Sequence, residues 1–324
     1  MTLIIAHRGS SGSLPENTLE SFKLAIEQDV GGIELDIIAT KDFHLIVRHD
    51  VTLSRSTNVA DIKKFSNKKS IKLINGEAFE DWFAIDFTLE EIKELKCTQP
   101  YVDRLQDYNL KFTIPTLKEV IDLININNLK KETKIDLLIE IKNSTFHSEH
   151  FIILEDLLFN ILDKEELNTL ESYVKIMSFE VNCLKYIRRY VNNEIFQLFE
   201  EFDLETDTFL SPYDLSLQKS KVTYKDMISK NGLEEVKEYA NGICLWKGYL
   251  LDNKFNLNIK NQEFFTYLKK INLKVFIWTL SNKNILKNST SLFDEYSKFY
   301  YSGVDGIITD YPEIATKLAG KSQV

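Results

Sequence analysis

Gly32-Ile33-Glu34-Leu35-Asp36-Ile37 is an apolar run interrupted by two acids two positions apart. Alternate residues of a strand share a face, so Glu34 and Asp36 point the same way. Leu137-Leu138-Ile139-Glu140-Ile141-Lys142 repeats the arrangement, placing Glu140 and Lys142 together. Leu3-Ile4-Ile5-Ala6 runs into His7-Arg8, and Leu45-Ile46-Val47-Arg48 runs into His49-Asp50. Polar groups therefore gather at the carboxyl ends of successive apolar runs, the end at which α/β barrels build their sites.

Working outward, short β-branched runs alternate with longer amphipathic stretches, the rhythm of βαβ units around a parallel sheet. The strand candidates are Leu3–Ala6, Gly32–Ile37, His44–Arg48, Ile135–Ile141, Val174–Ser178, Ile195–Phe199, Gly242–Leu245, Lys274–Thr279 and Gly306–Thr309. A doubly wound sheet shares this rhythm, but its first loop carries a glycine-rich dinucleotide fingerprint. Here that loop reads His7-Arg8-Gly9-Ser10-Ser11-Gly12, without the acidic ribose-binding pattern. The fold class is accordingly α/β, a TIM (β/α)8 barrel, with one of the nine candidates lying outside the ring. Residues 1–324 read as one barrel domain. Residues 52–113 break the rhythm with far more chain than the usual βα loop of about 2–6 residues, and read as a small cap inserted after the third strand.

Helix starts are visible locally. Asn17 reads as a cap with Glu20 as its capping-box partner, followed by a stripe of Leu19, Phe22 and Ile26. Thr88 with Glu91 opens Leu89–Leu95, and Leu117–Ile126 follows Pro115-Thr116. Trp82, Phe83, Ile85 and Phe87 read as the core of the cap.

Composition excludes several classes. With 44% hydrophobic residues, 21 Phe and 14 Tyr, the chain can fill a large core and is not a disordered polymer. Cys97, Cys183 and Cys244 are odd in number and widely spaced, so neither a disulfide framework nor a thiolate metal site is expected. No apolar run reaches the roughly 18 residues of a membrane helix, and Met1–Ala6 meets His7-Arg8 too soon for a signal peptide. The expected compartment is the cytoplasm. A net charge of −9 offers no general attraction for nucleic acid. A phosphate ligand would need local cations or a metal.

The strand-end residues supply both. Ionised carboxylates on apolar strands are costly unless paired or bound to metal. Glu34, Asp36 and Glu140 can converge on one hard divalent cation, and an all-oxygen set suits Mg²⁺, Ca²⁺ or Mn²⁺. His7 and His49 can exchange protons near neutral pH, while Arg8 and Lys142 hold anionic oxygens. Together these groups suit phosphoryl chemistry. Taken singly, each motif also has a structural reading: an edge-strand face, a turn, or a Glu140–Lys142 ion pair. Their recurrence at one end of consecutive strands favours the site.

The sequence resembles the glycerophosphodiester phosphodiesterases. The resemblance runs through Ala6-His7-Arg8-Gly9, Pro15-Glu16-Asn17-Thr18, Ile33-Glu34-Leu35-Asp36, Thr40-Lys41-Asp42, His49-Asp50 with Leu53 and Arg55-Ser56-Thr57, and Ile114-Pro115-Thr116-Leu117. It continues with Ile139-Glu140-Ile141-Lys142, Ser178-Phe179, Trp278-Thr279 and Gly303-Val304-Asp305-Gly306-Ile307-Ile308-Thr309-Asp310-Tyr311-Pro312. The resemblance implies Glu34, Asp36 and Glu140 as ligands of a Mg²⁺ or Ca²⁺ ion, with Mn²⁺ also admitted. It implies His7 and His49 as the acid/base pair, Arg8 and Lys142 as phosphate contacts, and Trp278 near the glycerol or head group. It further implies hydrolysis of a small glycerophosphodiester, such as glycerophosphocholine or glycerophosphoethanolamine, to sn-glycerol 3-phosphate and an alcohol. Attack by water and attack by the glycerol's own hydroxyl both remain open. Two alternatives stand beside this reading: a lysophospholipase D-like enzyme for one-chain lysolipids, and a non-catalytic barrel that binds phosphodiesters. Asp305 and Asp310 are expected to shape the last strand and its loop. His44, His147 and His150 match no motif and are expected at the surface. Phe43 stands where the family often has glycine.

Overall fold

Runs of β-branched and aliphatic residues too short for helices, with reversals between them, build the strands of the computed structural model, which describes residues 2–130, 134–251, 261–286 and 289–321. In chain order they are β1 (Leu3–His7), β2 (Gly32–Ala39), β3 (Leu45–Val47), β4 (Ser70–Ile74), β5 (Glu77–Asp81), β6 (Asp136–Ile141), β7 (Val174–Ser178), β8 (Glu194–Phe199), β9 (Gly242–Trp246), β10 (Lys274–Leu280) and β11 (Gly306–Thr309). The sheet runs β1-β11-β10-β9-β8-β7-β6-β2, and a β1–β2 pairing closes it into a ring of parallel strands. This is the eight-stranded TIM barrel, with helices between strands.

The ninth candidate, β3, lies outside the ring and pairs antiparallel with β2, Ile38 opposite Ile46. Chain length explains why. Only residues 40–44 separate the two strands, whereas a parallel return needs a crossover of a dozen or more residues. Phe43 in that turn has φ +63°, a conformation that glycine adopts without penalty and an aromatic residue does not.

The barrel interior is filled from below by Ile5, Leu138, Met177, Phe196, Cys244, Phe276 and Ile308. Phe196 and Phe276 stack there with ring centroids 4.4 Å apart. A Cβ on Gly242 would meet the Phe196 ring at 2.4 Å, so this strand position must be bare for the ring to fit. Because side chains alternate along a strand, residues two steps beyond this apolar layer also face inward: His7 after Ile5, Glu140 after Leu138, and Trp278 after Phe276. A polar layer thus sits on an apolar floor.

Residues 52–113 form four 3₁₀ turns (Ser54–Ser56, Val59–Asp61, Lys63–Lys68, Ala84–Asp86), the β4–β5 hairpin, and the helix Leu89–Lys93. Thr88 and Glu91 make both bonds of a capping box at that helix, and Thr116 with Glu119 does the same for Leu117–Asn128. Phe83 and Phe87 are fully buried, and Phe83 stacks on Phe146 of the barrel at 6.0 Å, so these rings join the segment to the barrel as well as filling it. Asn75 and Gly76 both have positive φ, which the tight hairpin turn requires. Among the described residues no helix is long and apolar enough to cross a membrane.

Candidate active site

Register assembles the acids. β2 pairs with β6 so that Asp36 lies beside Glu140, and β1 pairs with β2 so that His7 lies beside Glu34. All four side chains face into the barrel mouth. One oxygen from each of Glu34, Asp36 and Glu140 lies within 4.8 Å of the others, and all three residues are buried.

The chain around β1 is shaped to serve this cluster. Arg8 has φ +54°, an uncommon backbone state that aims its N–H at Glu34 Oε2 (3.0 Å). Its side chain turns back to Glu16 (3.0 Å) and Asp36 (3.2 Å). The next residue must be glycine: Gly9 has φ +79°, and a Cβ there would strike the Ser21 backbone at 2.7 Å. Asn17 also has positive φ and does not cap the first helix; the cap is Thr18, whose hydroxyl accepts from Ser21 N. Asn17 instead donates its amide to Asp36 Oδ2 (2.8 Å). The expectation of a cap at Asn17 was one residue early because Asn and Thr are both good caps. The tertiary contact with Asp36 claims the asparagine.

Charges alternate through the cluster. Lys142 Nζ lies 2.6 Å from Glu140 Oε1 and 3.5 Å from Asp36 Oδ1. Arg8 and Lys142 both line the cavity, and both are already engaged by carboxylates within it. Burial pushes Glu34 well above the usual carboxylate range, and the neighbouring Asp36 and Glu140 charges push it further. Burial likewise raises Glu140, to about 7, against the pull of Lys142. For Asp36 burial is outweighed by the Arg8 and Lys142 cations, which hold it well below the usual range. A trio of buried acids with two cations is incompletely neutralised. Asp36 Oδ1 is buried without a hydrogen-bond partner among the described residues. The donor set, all oxygen and negatively charged, fits a hard divalent cation.

Two imidazoles flank the acids. His7 Nδ1 lies 2.6 Å from Asp310 Oδ1, and its Nε2 lies 4.0 Å from Glu34 Oε2. His49 Nδ1 lies 2.6 Å from Asp50 Oδ1. A carboxylate only accepts, so each Nδ1 carries the proton and each Nε2 is left free. Burial lowers the pKa of both rings, and the Arg8 charge lowers both further, His49 to about 4. His49 comes from the chain just after β3, not from a ring strand.

The cavity above this layer measures about 650 Å³. Trp278 lies half-buried on its wall, edge-on to Phe179 at 5.7 Å, while Lys142 sits 5.3 Å from the same Phe179 ring. Asn75 and Glu77 of the β4–β5 hairpin, with Glu200 and Tyr213, form its outer wall. All eight sequence-predicted site residues line this cavity except Asp36, which lies beneath it. Sequence reading overlooked the carboxylates behind the histidines and Arg104, whose guanidinium reaches Asp310. Position was the available signal: Asp310 follows β11 at the same barrel end as the other polar groups. Asp305 does shape the strands, accepting from Val275 N at 2.8 Å. The expectation that unmatched histidines lie at the surface fails for His147, which is fully buried. Its helix turns it inward, where both ring nitrogens find backbone partners.

Comparison with known proteins identifies the family. A glycerophosphodiester phosphodiesterase of Arabidopsis thaliana, GDPD6, is 30% identical over 326 residues, covering 95% of this chain and 83% of that protein. A glycerophosphodiester phosphodiesterase of Caldanaerobacter subterraneus is 30% identical over 322 residues, covering 99% and 98%. The fold matches a putative glycerophosphoryl diester phosphodiesterase of Silicibacter pomeroyi with TM-score 0.68 at 18% identity, covering 100% and 95%. It also matches an Oleispira antarctica phosphodiesterase solved in complex with the product sn-glycerol-3-phosphate, with TM-score 0.65 at 19% identity, covering 99% and 97%. The model of the Glycerophosphoryl diester phosphodiesterase family matches residues 7–314. The chain therefore belongs to the glycerophosphoryl diester phosphodiesterase family, whose members are phosphoric diester hydrolases.

Proposed function

We propose that this protein hydrolyses glycerophosphodiesters to sn-glycerol 3-phosphate and an alcohol, with a divalent cation at Glu34, Asp36 and Glu140. The observation that carries this reading is the convergence of three buried acids with two imidazoles, each backed by a carboxylate, in one cavity. When bound, such a cation polarises the phosphate and acidifies the attacking hydroxyl. The chain's own residues do the rest. One free Nε2 takes the proton of the attacking hydroxyl as its oxygen bonds to phosphorus. The other imidazole, protonated on Nε2 once the bound phosphate anion offsets the Arg8 charge that disfavours its cationic form, gives that proton to the departing alkoxide as the second P–O bond breaks. Arg8 and Lys142 share their positive charge between the carboxylates and the phosphate oxygens. Trp278 and Phe179 wall off water on the glycerol side. Glu77 and Glu200 with Tyr213 on the outer wall favour a cationic head group such as choline or ethanolamine.

The test is turnover of a panel of glycerophosphodiesters before and after EDTA, with Mg²⁺, Ca²⁺ or Mn²⁺ restored one at a time. Activity should vanish on chelation and return with at least one ion. His7→Ala and His49→Ala should each lower kcat about 10²–10⁴-fold with the fold intact. Turnover indifferent to EDTA, or near wild-type rates in either variant, refutes the reading.

One observation favours a second substrate class. On β4, the strand that leads into the turn bearing the cavity-lining Asn75, Ile71 and Leu73 are 70% and 58% exposed, an apolar surface suited to a single acyl chain. Trp82, Phe83, Ile85 and Phe87 do not contribute to it, since Phe83, Ile85 and Phe87 are buried and Trp82 packs against the core. Strong preference for lysophosphatidylcholine over glycerophosphocholine would select this alternative.

A further inference from the structure

An unbroken chain of contacts joins the two imidazoles through residues of the inserted segment. His49 Nδ1 meets Asp50 Oδ1, and Asp50 Oδ2 accepts from Arg55 Nη1 at 3.1 Å. Arg55 Nη2 donates to the Tyr101 hydroxyl at 3.0 Å, with its guanidinium carbon 5.2 Å from the Tyr101 ring centre. Against the same ring, at 4.2 Å, lies the guanidinium of Arg104. Arg104 Nη2 then donates to Asp310 Oδ2 at 2.5 Å, and Asp310 Oδ1 holds His7 Nδ1. The order is His49–Asp50–Arg55–Tyr101–Arg104–Asp310–His7.

We propose that Tyr101 is a positioning residue for both imidazoles, a single aromatic clamp holding two His–Asp–Arg units in place from within the inserted segment. A histidine that exchanges protons must keep one tautomer and one orientation, and a carboxylate on Nδ1 sets both. A carboxylate with one oxygen on the ring can still pivot, and an arginine on its second oxygen stops the pivot. The arginines need an anchor in turn, and Tyr101 gives its ring to the Arg104 guanidinium and its hydroxyl, as acceptor, to Arg55. Lys283 adds a third cation 3.8 Å from the ring centre. The limbs differ in burial. Arg104 and Asp310 side chains are 4% and 6% exposed, whereas those of Arg55 and Asp50 are 40% and 20% exposed. Solvent competes for the second limb, so His7 is held the more firmly. The inserted segment thus contributes to the chemistry as well as to the cavity wall.

The proposal rests on the acid/base roles given above, and its test separates the two. Full-length Tyr101→Ala, Tyr101→Phe and Arg55→Ala are compared with wild type by steady-state kinetics, Ca²⁺ affinity and ¹⁵N NMR of the histidine rings. Tyr101→Ala should lower kcat about tenfold or more, as loss of an outer partner of a functional histidine does, with KM within twofold. Its Ca²⁺ affinity should stay at the wild-type value, because no carboxylate of the cluster touches Tyr101. The Nδ1–H signals of His7 and His49 should lose intensity in favour of the other tautomer. Tyr101→Phe keeps the ring on Arg104 and should recover most of the His7 signal and of kcat. Arg55→Ala sits on the exposed limb, folds regardless, and should disturb His49 alone. Wild-type kcat and unchanged histidine spectra in Tyr101→Ala overturn the proposal, as does a rise in KM with kcat unchanged. So does an Arg55→Ala spectrum in which His49 is unaltered. The tautomer readout decides this proposal even if His7→Ala and His49→Ala show that the acid/base roles are wrong.

Discussion

His147 offers a quantitative test of how the barrel handles a buried titratable group. It is fully buried, its Nδ1 lies 2.9 Å from the Asn143 carbonyl, and its Nε2 accepts from the Ala39 amide at 3.3 Å. Both nitrogens are satisfied only in the neutral ring. Protonation would set a second N–H against the Ala39 N–H, with His150 the other titratable group that opposes charge there. Burial accordingly lowers its pKa from 6.5 to about 4. The unfolded chain therefore binds more protons than the native one between those values, and stability must rise with pH across that window. The contribution is complete above pH 6.5 and is lost progressively as pH falls toward 4. Relative to neutral pH, the loss is about 2 kcal/mol at pH 5 and approaches ~3 kcal/mol below pH 4. Other groups titrate in the same range, so the comparison is with His147→Gln, whose amide can accept from Ala39 without titrating. Urea unfolding at pH 7 and pH 5 should show the wild type losing about 2 kcal/mol more than His147→Gln. A difference that does not change with pH, or an NMR titration placing His147 near 6.5, refutes the reasoning.

Two further outcomes follow from the geometry. Asn17→Ala removes the amide that holds Asp36 Oδ2, and should weaken divalent-cation binding about 10–100-fold by calorimetry; unchanged affinity would mean that Asp36 is oriented without it. Phe276→Ala opens a hole in the stacked floor beneath the polar layer and should cost about 3–5 kcal/mol in urea unfolding. A cost below ~1 kcal/mol would mean that the floor collapses to fill the gap.

The division of labour between sequence and tertiary structure is visible in particular residues. Strand faces were legible because alternation is local: Glu34 and Asp36 share a face in any strand, as do Glu140 and Lys142. The parallel barrel was legible for the same reason, from apolar runs spaced by crossover lengths. The status of β3 was not read, although the shortness of residues 40–44 already forbids a parallel return. Asn17 looked like a cap because capping preference is local, whereas its bond to Asp36 is made to the neighbouring strand, 19 residues on. His147 looked peripheral because nothing in its neighbours shows which way its helix turns.

By itself, the order of residues determined which side chains are polar, which face of each strand carries them, and that they stand at carboxyl ends. Only closure of the barrel decided that Asp36 lies beside Glu140 and His7 beside Glu34, because register is set by pairing between distant segments. Only the folding of residues 52–113 brought Arg55, Tyr101 and Arg104 behind two carboxylates that lie 260 residues apart in sequence, Asp50 and Asp310. Periodicity is a property of neighbours along the chain. Electrostatic partnership is a property of neighbours in space, and packing alone assigns those.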